Sequence, residues 1–165
     1  MSSLTPEDLT AAVITVSDSC ARGERTDLSG PAVADSLRTK KFSIVGTEIV
    51  ADELDVITRA ILQWAGKARL VVTTGGTGIA ARDVTPEATQ QICDRLLDGV
   101  SERMRFEGSK KTSFAALSRA ICGVHGSSII LNLPGSPTGA VESLLSVVDL
   151  LPHALELLSG RTEHP

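Results

Sequence analysis

Four apolar runs punctuate the chain, each closed by polar or turn-forming residues. Ala11 to Val16 (AAVITV) predicts a buried strand that ends at Ser17-Asp18. Phe42 to Val50 (FSIVGTEIV) predicts a second strand, closed by Ala51-Asp52-Glu53. Arg69 to Thr74 predicts a third, and Ser128 to Leu133 a late one closed by Pro134-Gly135-Ser136-Pro137. Between them the apolar period lengthens. Leu54, Ile57, Ile61 and Trp64 form one helix face. Ser29-Gly30-Pro31 opens another helix, with Ser29 as its cap, proline in the first turn, and Val33 and Leu37 turned inward. Thr85-Pro86-Glu87 opens a third, with the Glu87 carboxylate at the positive helix end. Val141, Leu144, Leu145 and Val148 mark a fourth, which Pro152 kinks or restarts before Leu155 to Leu158.

Ser19 to Leu28 reads as a loop, and the charged, Ser-rich stretch from Asp98 to Ala120 has no assignment. Met1 to Thr10 reads as a frayed end, in which Thr5-Pro6-Glu7-Asp8 can cap a helical turn. Alternating strands and helices predict an α/β fold with a mostly parallel central sheet and helices on both faces. Without a repeat, low-complexity tract or linker, residues 1–165 are expected to form one domain.

Composition narrows the function. Apolar residues make up 42% of the chain but aromatics only 2%. The core must therefore be aliphatic, and base-stacking platforms for single-stranded nucleic acid are unexpected. A net charge of −4, without a basic block, argues against a nucleic-acid partner. Cys20, Cys93 and Cys122 lack paired spacing and are expected to be buried neutral thiols. His125 and His153 are spaced neither for zinc nor for a triad and are expected to be structural. No signal-like start and no apolar run of about 18 residues is present, so neither a membrane nor export is expected, and the cytoplasm is.

In open α/β sheets, ligands bind outside the carboxyl ends of the strands. Those ends carry Ser17-Asp18, Asp52-Glu53, Thr73 to Gly78, and Pro134 to Pro137. The third opens TTGGTGIAARDVTPEAT, longer than a strand-to-helix connection needs. Gly76-Thr77-Gly78-Ile79-Ala80-Ala81 formally fits the dinucleotide fingerprint. However, Pro86 delays the helix until after Arg82-Asp83, which speaks against a Rossmann site. A Walker A loop is excluded because Gly-Lys-Ser/Thr is missing. Gly75, Gly76 and Gly78 would instead bring backbone N–H groups close to an anion, with Thr77 adding a hydroxyl. Substituting Gly76 is then expected to weaken anion binding more than folding. Asp18, Asp52 and Asp83 each have a bland reading as loop or cap aspartates, but together at strand ends they suit Mg²⁺ bridging substrate phosphates. Arg119 is either a phosphate clamp or a surface residue, and Asn132 and Ser136 flank a Pro-Gly turn.

The segments SDSCARGERTDLSGP, TTGGTGIAARDVTPEAT, LSRAICGVHGSSIILNLPGSP and LPHALELLSG resemble the molybdopterin-binding Mog/MoaB family, from about Ala11 to Gly160. The resemblance implies a three-layer α/β sandwich that assembles as a homotrimer or hexamer. It implies adenylylation of molybdopterin by Mg-ATP, giving adenylyl-molybdopterin and pyrophosphate, with the molybdate-insertion protein as an expected partner. Asp52 and Asp83 match the family's catalytic aspartates and, with Mg²⁺, carry the metal expectation. Ser17, Asp18, Ser29, Gly30, Gly75, Gly76, Thr77, Gly78, Glu87, Ser118, Arg119, Pro134, Gly135 and Ser136 match its ligand-binding motifs. Ala80-Ala81 departs from the proline or arginine common in relatives. MoaB-type members keep most of these motifs, so a molybdopterin binder without transferase activity stays open. So does a scaffold like gephyrin, which the absence of a linker disfavours.

Overall fold

The computed structural model describes Leu4, Thr5 and residues 8–160. Thr10 belongs to the first strand rather than to a frayed end, and Pro6 and Glu7 of the expected N-terminal cap lie outside the described residues. The chain runs β1 (Thr10–Val16), α1 (Asp18–Ala21), α2 (Ser29–Thr39), β2 (Ser43–Val50), α3 (Leu54–Ala65), β3 (Leu70–Thr74) and α4 (Thr85–Gln90). There follow β4 (Arg95–Leu96), α5 (Asp98–Ser109), a 3₁₀ turn (Ser113–Leu117), β5 (Cys122–His125) and β6 (Ser128–Leu133). α6 (Pro137–Val147), a second 3₁₀ turn (Val148–Leu150) and α7 (Leu151–Leu158) close the chain.

One six-stranded sheet has the order β2-β1-β3-β6-β5-β4. The first four strands are parallel, while β5 pairs antiparallel with both β6 and β4. Period-two alternation divides the core between two faces. Val13, Leu70, Val72, Leu131 and Leu133 pack with Val33 and Leu37 of α2, Met104 of α5, Leu144 of α6 and Leu155 of α7. Ile14, Val71 and Ile130 face the other way, against Ile57 and Ile61 of α3 and Ala88 of α4. The result is the expected three-layer α/β sandwich. Ile57 and Ile61 are fully buried, and truncating such a side chain to alanine typically costs about 2–5 kcal/mol.

The four parallel strands lie within a residue of their expected bounds. β4 and β5 have two and four residues, too few for a periodicity to register. The unassigned stretch is α5 and a 3₁₀ turn, with only Ser101 and Met104 of α5 buried. Ser19, Cys20 and Ala21 of the expected first loop join Asp18 in α1. α2 starts at Ser29, but its cap differs from the expected one: Asp27 Oδ1 accepts the Gly30 N–H at 3.0 Å, and Ser29 is the first helical residue. Pro152 does restart the helix, in the first turn of α7. Among the described residues, no helix is long and apolar enough to cross a membrane.

Candidate active site

Strand order reverses between β1 and β3: β2 lies on one side of β1, and β3 with β6 on the other. A crevice opens beyond the carboxyl ends of strands at such a point. It is a polar cavity of about 400 Å³, lined by all four parallel strand ends. β1 contributes Thr15 to Ser17, the turn after β2 Asp52, β3 and its loop Thr74 to Gly76, and the turn after β6 Gly135 to Pro137. Asp83 and the loop residues Arg25 to Ser29 complete it. A second, more apolar cavity of about 700 Å³ adjoins it, framed by α5, the first 3₁₀ turn and α6. The two share Gly76, Asp83, Gly135 and Ser136.

The glycine loop is held by tight backbone approaches. Gly75 and Gly76 have φ of 102° and 68°, the left-handed region where a side chain is strained. A Cβ on Gly75 would strike the Val16 carbonyl, and one on Gly76 the Thr85 hydroxyl. That hydroxyl donates to the Gly75 carbonyl at 2.9 Å, and the Thr85 N–H to the Gly76 carbonyl at 3.1 Å. Gly135 presses on the same loop, since a Cβ there would lie 3.3 Å from Gly75 Cα.

Arg119 fastens the other side of the loop. Its Nε donates to the Gly78 carbonyl at 2.8 Å, its Nη2 to the Asp83 carbonyl at 2.7 Å, and its Nη1 pairs with Glu87. Its N–H also donates to the Thr77 carbonyl at 2.9 Å. The guanidinium is spent on the protein, so its evident work is to shape the loop. Arg119 in turn holds the Glu87 carboxyl below the usual range. Buried Asn132 joins β6 to β3 and α4, donating to the hydroxyls of Thr73 at 3.0 Å and Thr89 at 2.9 Å, rather than shaping the Pro-Gly turn.

The aspartates are locked reciprocally. The Asp18 N–H donates to Asp52 Oδ2 at 2.9 Å, and the Asp52 N–H to Asp18 Oδ1 at 3.0 Å. Arg82 then clamps Asp18 with both nitrogens of its fork, at 2.8–3.0 Å. With Arg82 59% exposed, solvent screens the pair and it adds little stability, so its value lies in orientation. The Arg82 hydrogen bonds hold the Asp18 carboxyl below the usual range, helped by the Asp52 N–H. Asp52 is pushed the other way: burial raises it most, and the charges of Asp18 and Asp83 add to that. Asp83 Oδ2 accepts the Ala80 N–H at 2.9 Å. Asp52 Oδ1 and Asp83 Oδ1 have no protein partner among the described residues.

The remaining candidates hold the frame. Ser17 caps α1 by accepting the Cys20 N–H at 3.3 Å, and Ser136 caps α6 by accepting the Gly139 N–H at 3.1 Å. Pro134 lines the larger cavity, and its carbonyl accepts the Thr74 hydroxyl at 2.8 Å. Ser118 also lines that cavity, 3.3 Å from the Ala120 N–H it accepts. Ser29 and Gly30 are buried beside Asp27, which also accepts the Thr15 hydroxyl at 2.7 Å. Asp27 and Arg82 were not among the expected site residues. An aspartate three residues before a glycine in a helix's first turn is a cap signal that could have found Asp27. Nothing local to Arg82 reveals a partner 64 positions away. Burial pushes the Cys122 thiol up to about 12 and that of half-buried Cys93 up to about 11. Cys20 departs from the buried-thiol expectation and lines the polar cavity.

Residues 12–153 match the family model described as "Probable molybdopterin binding domain". The chain belongs to this family. Within the molybdopterin-binding family, the chain is 40% identical over 152 residues to the molybdopterin adenylyltransferase of Helicobacter pylori, covering 90% of this chain and 86% of that protein. It is 41% identical over 155 residues to the molybdenum cofactor synthesis protein cinnamon of Drosophila melanogaster. That match covers 92% of this chain but only 26% of the longer fly protein. The solved structure of the molybdopterin biosynthesis enzyme MoaB from Thermus thermophilus superposes with a TM-score of 0.87 at 46% identity, covering 92% of this chain and 97% of that one.

Proposed function

We propose that the chain acts in molybdenum cofactor biosynthesis as a molybdopterin adenylyltransferase, joining molybdopterin and ATP with release of pyrophosphate. The observation that carries this reading is the convergence of four strand ends on a polar cavity beside a larger apolar one. Two adjoining volumes within the usual range for ligand pockets suit a two-substrate reaction. Phosphates suit the polar cavity, where glycines permit close backbone approach, and flat ring systems suit the apolar one. The relatives named as adenylyltransferases support the activity.

In this reaction a terminal phosphate oxygen of the pterin attacks the α-phosphorus of ATP, forming one P–O bond as the bond to the β-phosphate oxygen breaks. Both partners are anions, so the protein must align them and offset their charge. The Arg119 clamp and the Thr85 bonds keep the loop open to phosphate. The Asp18–Asp52 lock fixes the orientation of Asp52. Among the described residues no group of three or more His, Cys, Asp or Glu is arranged to hold a metal. Two carboxylates with an open oxygen each fit Mg²⁺, which commonly takes one or two carboxylates plus substrate phosphates. Asp52 and Asp83 would hold it, and when bound it supplies charge neutralisation at the polyphosphate.

The deciding experiment mixes purified protein with molybdopterin and Mg-ATP and follows pyrophosphate release. Stoichiometric or catalytic release is expected. Tight molybdopterin binding with no pyrophosphate would instead make the protein a MoaB-type pterin carrier.

A further inference from the structure

The charged side chains lining the two cavities are few, and most are already committed. In the larger cavity Arg105 donates to the Ala120 carbonyl at 3.0 Å, and Lys111 pairs with Glu142 at 2.8 Å. Beside the polar cavity Arg82 is bound to Asp18, and Arg22, near it in sequence, pairs with Glu24 at 3.0 Å. The polar cavity is lined by Asp27, Asp52, Asp83 and a single cation, Arg25. Among the described residues Arg25 has no hydrogen-bond or ion-pair partner. Asp27 does not engage it, because its oxygens are taken by Thr15, Ser29 and Gly30. With Asp52 and Asp83 facing the proposed Mg²⁺ and Asp27 tied to the backbone, Arg25 is, among the described residues, the cavity's one uncommitted side-chain cation for an approaching phosphate.

We infer that Arg25 is the side chain of the polar cavity that binds a substrate phosphoryl group, an inference that rests on the proposed function. Its loop is well placed for this. Asp27 anchors the segment to β1 and α2, and the eleven-residue α2 opens there with the positive end of its dipole beside Leu28 and Ser29. A planar fork of donors matches phosphate oxygens in a way a backbone N–H cannot. Asp52 and Asp83 enter the cavity from the turn after β2 and from the glycine loop, and Arg25 from the loop after α1. A phosphoryl chain would then meet metal-binding carboxylates and a cation from separate segments.

The test compares wild type with Arg25→Gln and Arg25→Lys by calorimetric titration, using Mg-ATP, Mg-pyrophosphate and molybdopterin as separate arms. Arg25→Gln should bind about ten- to a hundredfold more weakly on the arm whose phosphate it contacts. Its melting temperature should not move, because the residue is exposed. Arg25→Lys should recover part of the loss, and the Arg25→Gln affinity should depend less steeply on salt. Loss with Mg-ATP and Mg-pyrophosphate assigns Arg25 to the polyphosphate, and loss with molybdopterin alone assigns it to the pterin phosphate. Wild-type affinity of Arg25→Gln on all three arms overturns the inference and leaves the function standing. A wild-type protein that bound none of the three would overturn both.

Discussion

Replacing Gly76 with alanine should destabilise the protein and disable the site through the same atom. At φ 68° an L-residue costs roughly 1–2 kcal/mol over glycine. The new methyl would also strike the Thr85 hydroxyl, which is fully buried and bonded to the Gly75 carbonyl. Displacing that hydroxyl forfeits a hydrogen bond worth roughly 0.5–1.5 kcal/mol. Together the loss is about 1.5–3.5 kcal/mol, a large share of the roughly 5–15 kcal/mol that holds a domain folded. The same methyl stands 3.3 Å from Asp52 Oδ1, the open oxygen of the site. Sequence alone put the damage at Gly76 mainly on binding, but the Thr85 contact spreads it to folding as well. Urea unfolding of Gly76→Ala, Thr85→Ala and the double variant measures this. The Gly76→Ala penalty should shrink by about 1 kcal/mol when Thr85 is already alanine, leaving the backbone strain. A penalty below about 0.5 kcal/mol, or one unchanged by Thr85→Ala, would refute the assignment of strain and contact.

Asp83→Asn removes charge but keeps shape, so Mg-dependent pyrophosphate release should fall at least about a hundredfold with little change in melting temperature; the exposed Asp98→Asn is the control, and equal damage at both would misplace the site. Asp52 titrates above the usual aspartate range when folded, mainly through burial, so its ionised form costs stability at neutral pH. Asp52→Asn should therefore melt higher than wild type near pH 7, and the gap should close as pH falls below about 4, where both states are protonated; a gap independent of pH would contradict the burial argument. The family resemblance makes a trimer the expectation, and exposed Phe106, Phe114, Leu145, Leu150 and Leu157 offer apolar surface for such an interface; light scattering that found only the 17.3 kDa protomer would refute it.

What the sequence made legible follows from the range of the physics involved. β1, β3 and β6 are near-continuous apolar runs because helices cover both faces, so they stand out without any alignment. β2 is an edge strand whose residues before Val50 are only partly covered, and its turn residues, rather than its pattern, marked its end. Glycines with positive φ and aspartates at strand ends are also local signals. Pairings across the fold are not. Arg119 looked equally like a phosphate clamp or a surface residue, and only the folded loop shows its donors aimed at the carbonyls of Gly78 and Asp83. Arg82 on Asp18 and Asn132 on Thr73 likewise exist only once the sheet has brought distant segments together.

That division bears on how the site handles charge. Arg82 and Arg119, the cations of the glycine loop's surroundings that make the most bonds, are consumed in holding Asp18, Glu87 and the loop carbonyls. Such bonds add little stability at a surface, but each fixes a group that must not move when two anions arrive. The cost is that neither arginine neutralises substrate. Asp52 registers the deficit, its carboxyl raised by burial and by the charges of Asp18 and Asp83. On the proposed function, cationic help would come from outside the fixed frame, from Mg²⁺ at Asp52 and Asp83 and from the uncommitted Arg25. Such a site would bind phosphates weakly without divalent metal, and its affinity should rise with Mg²⁺ more than with any change in monovalent salt; calorimetric titration of ATP with Mg²⁺ and with EDTA checks this, and equal affinities would refute it.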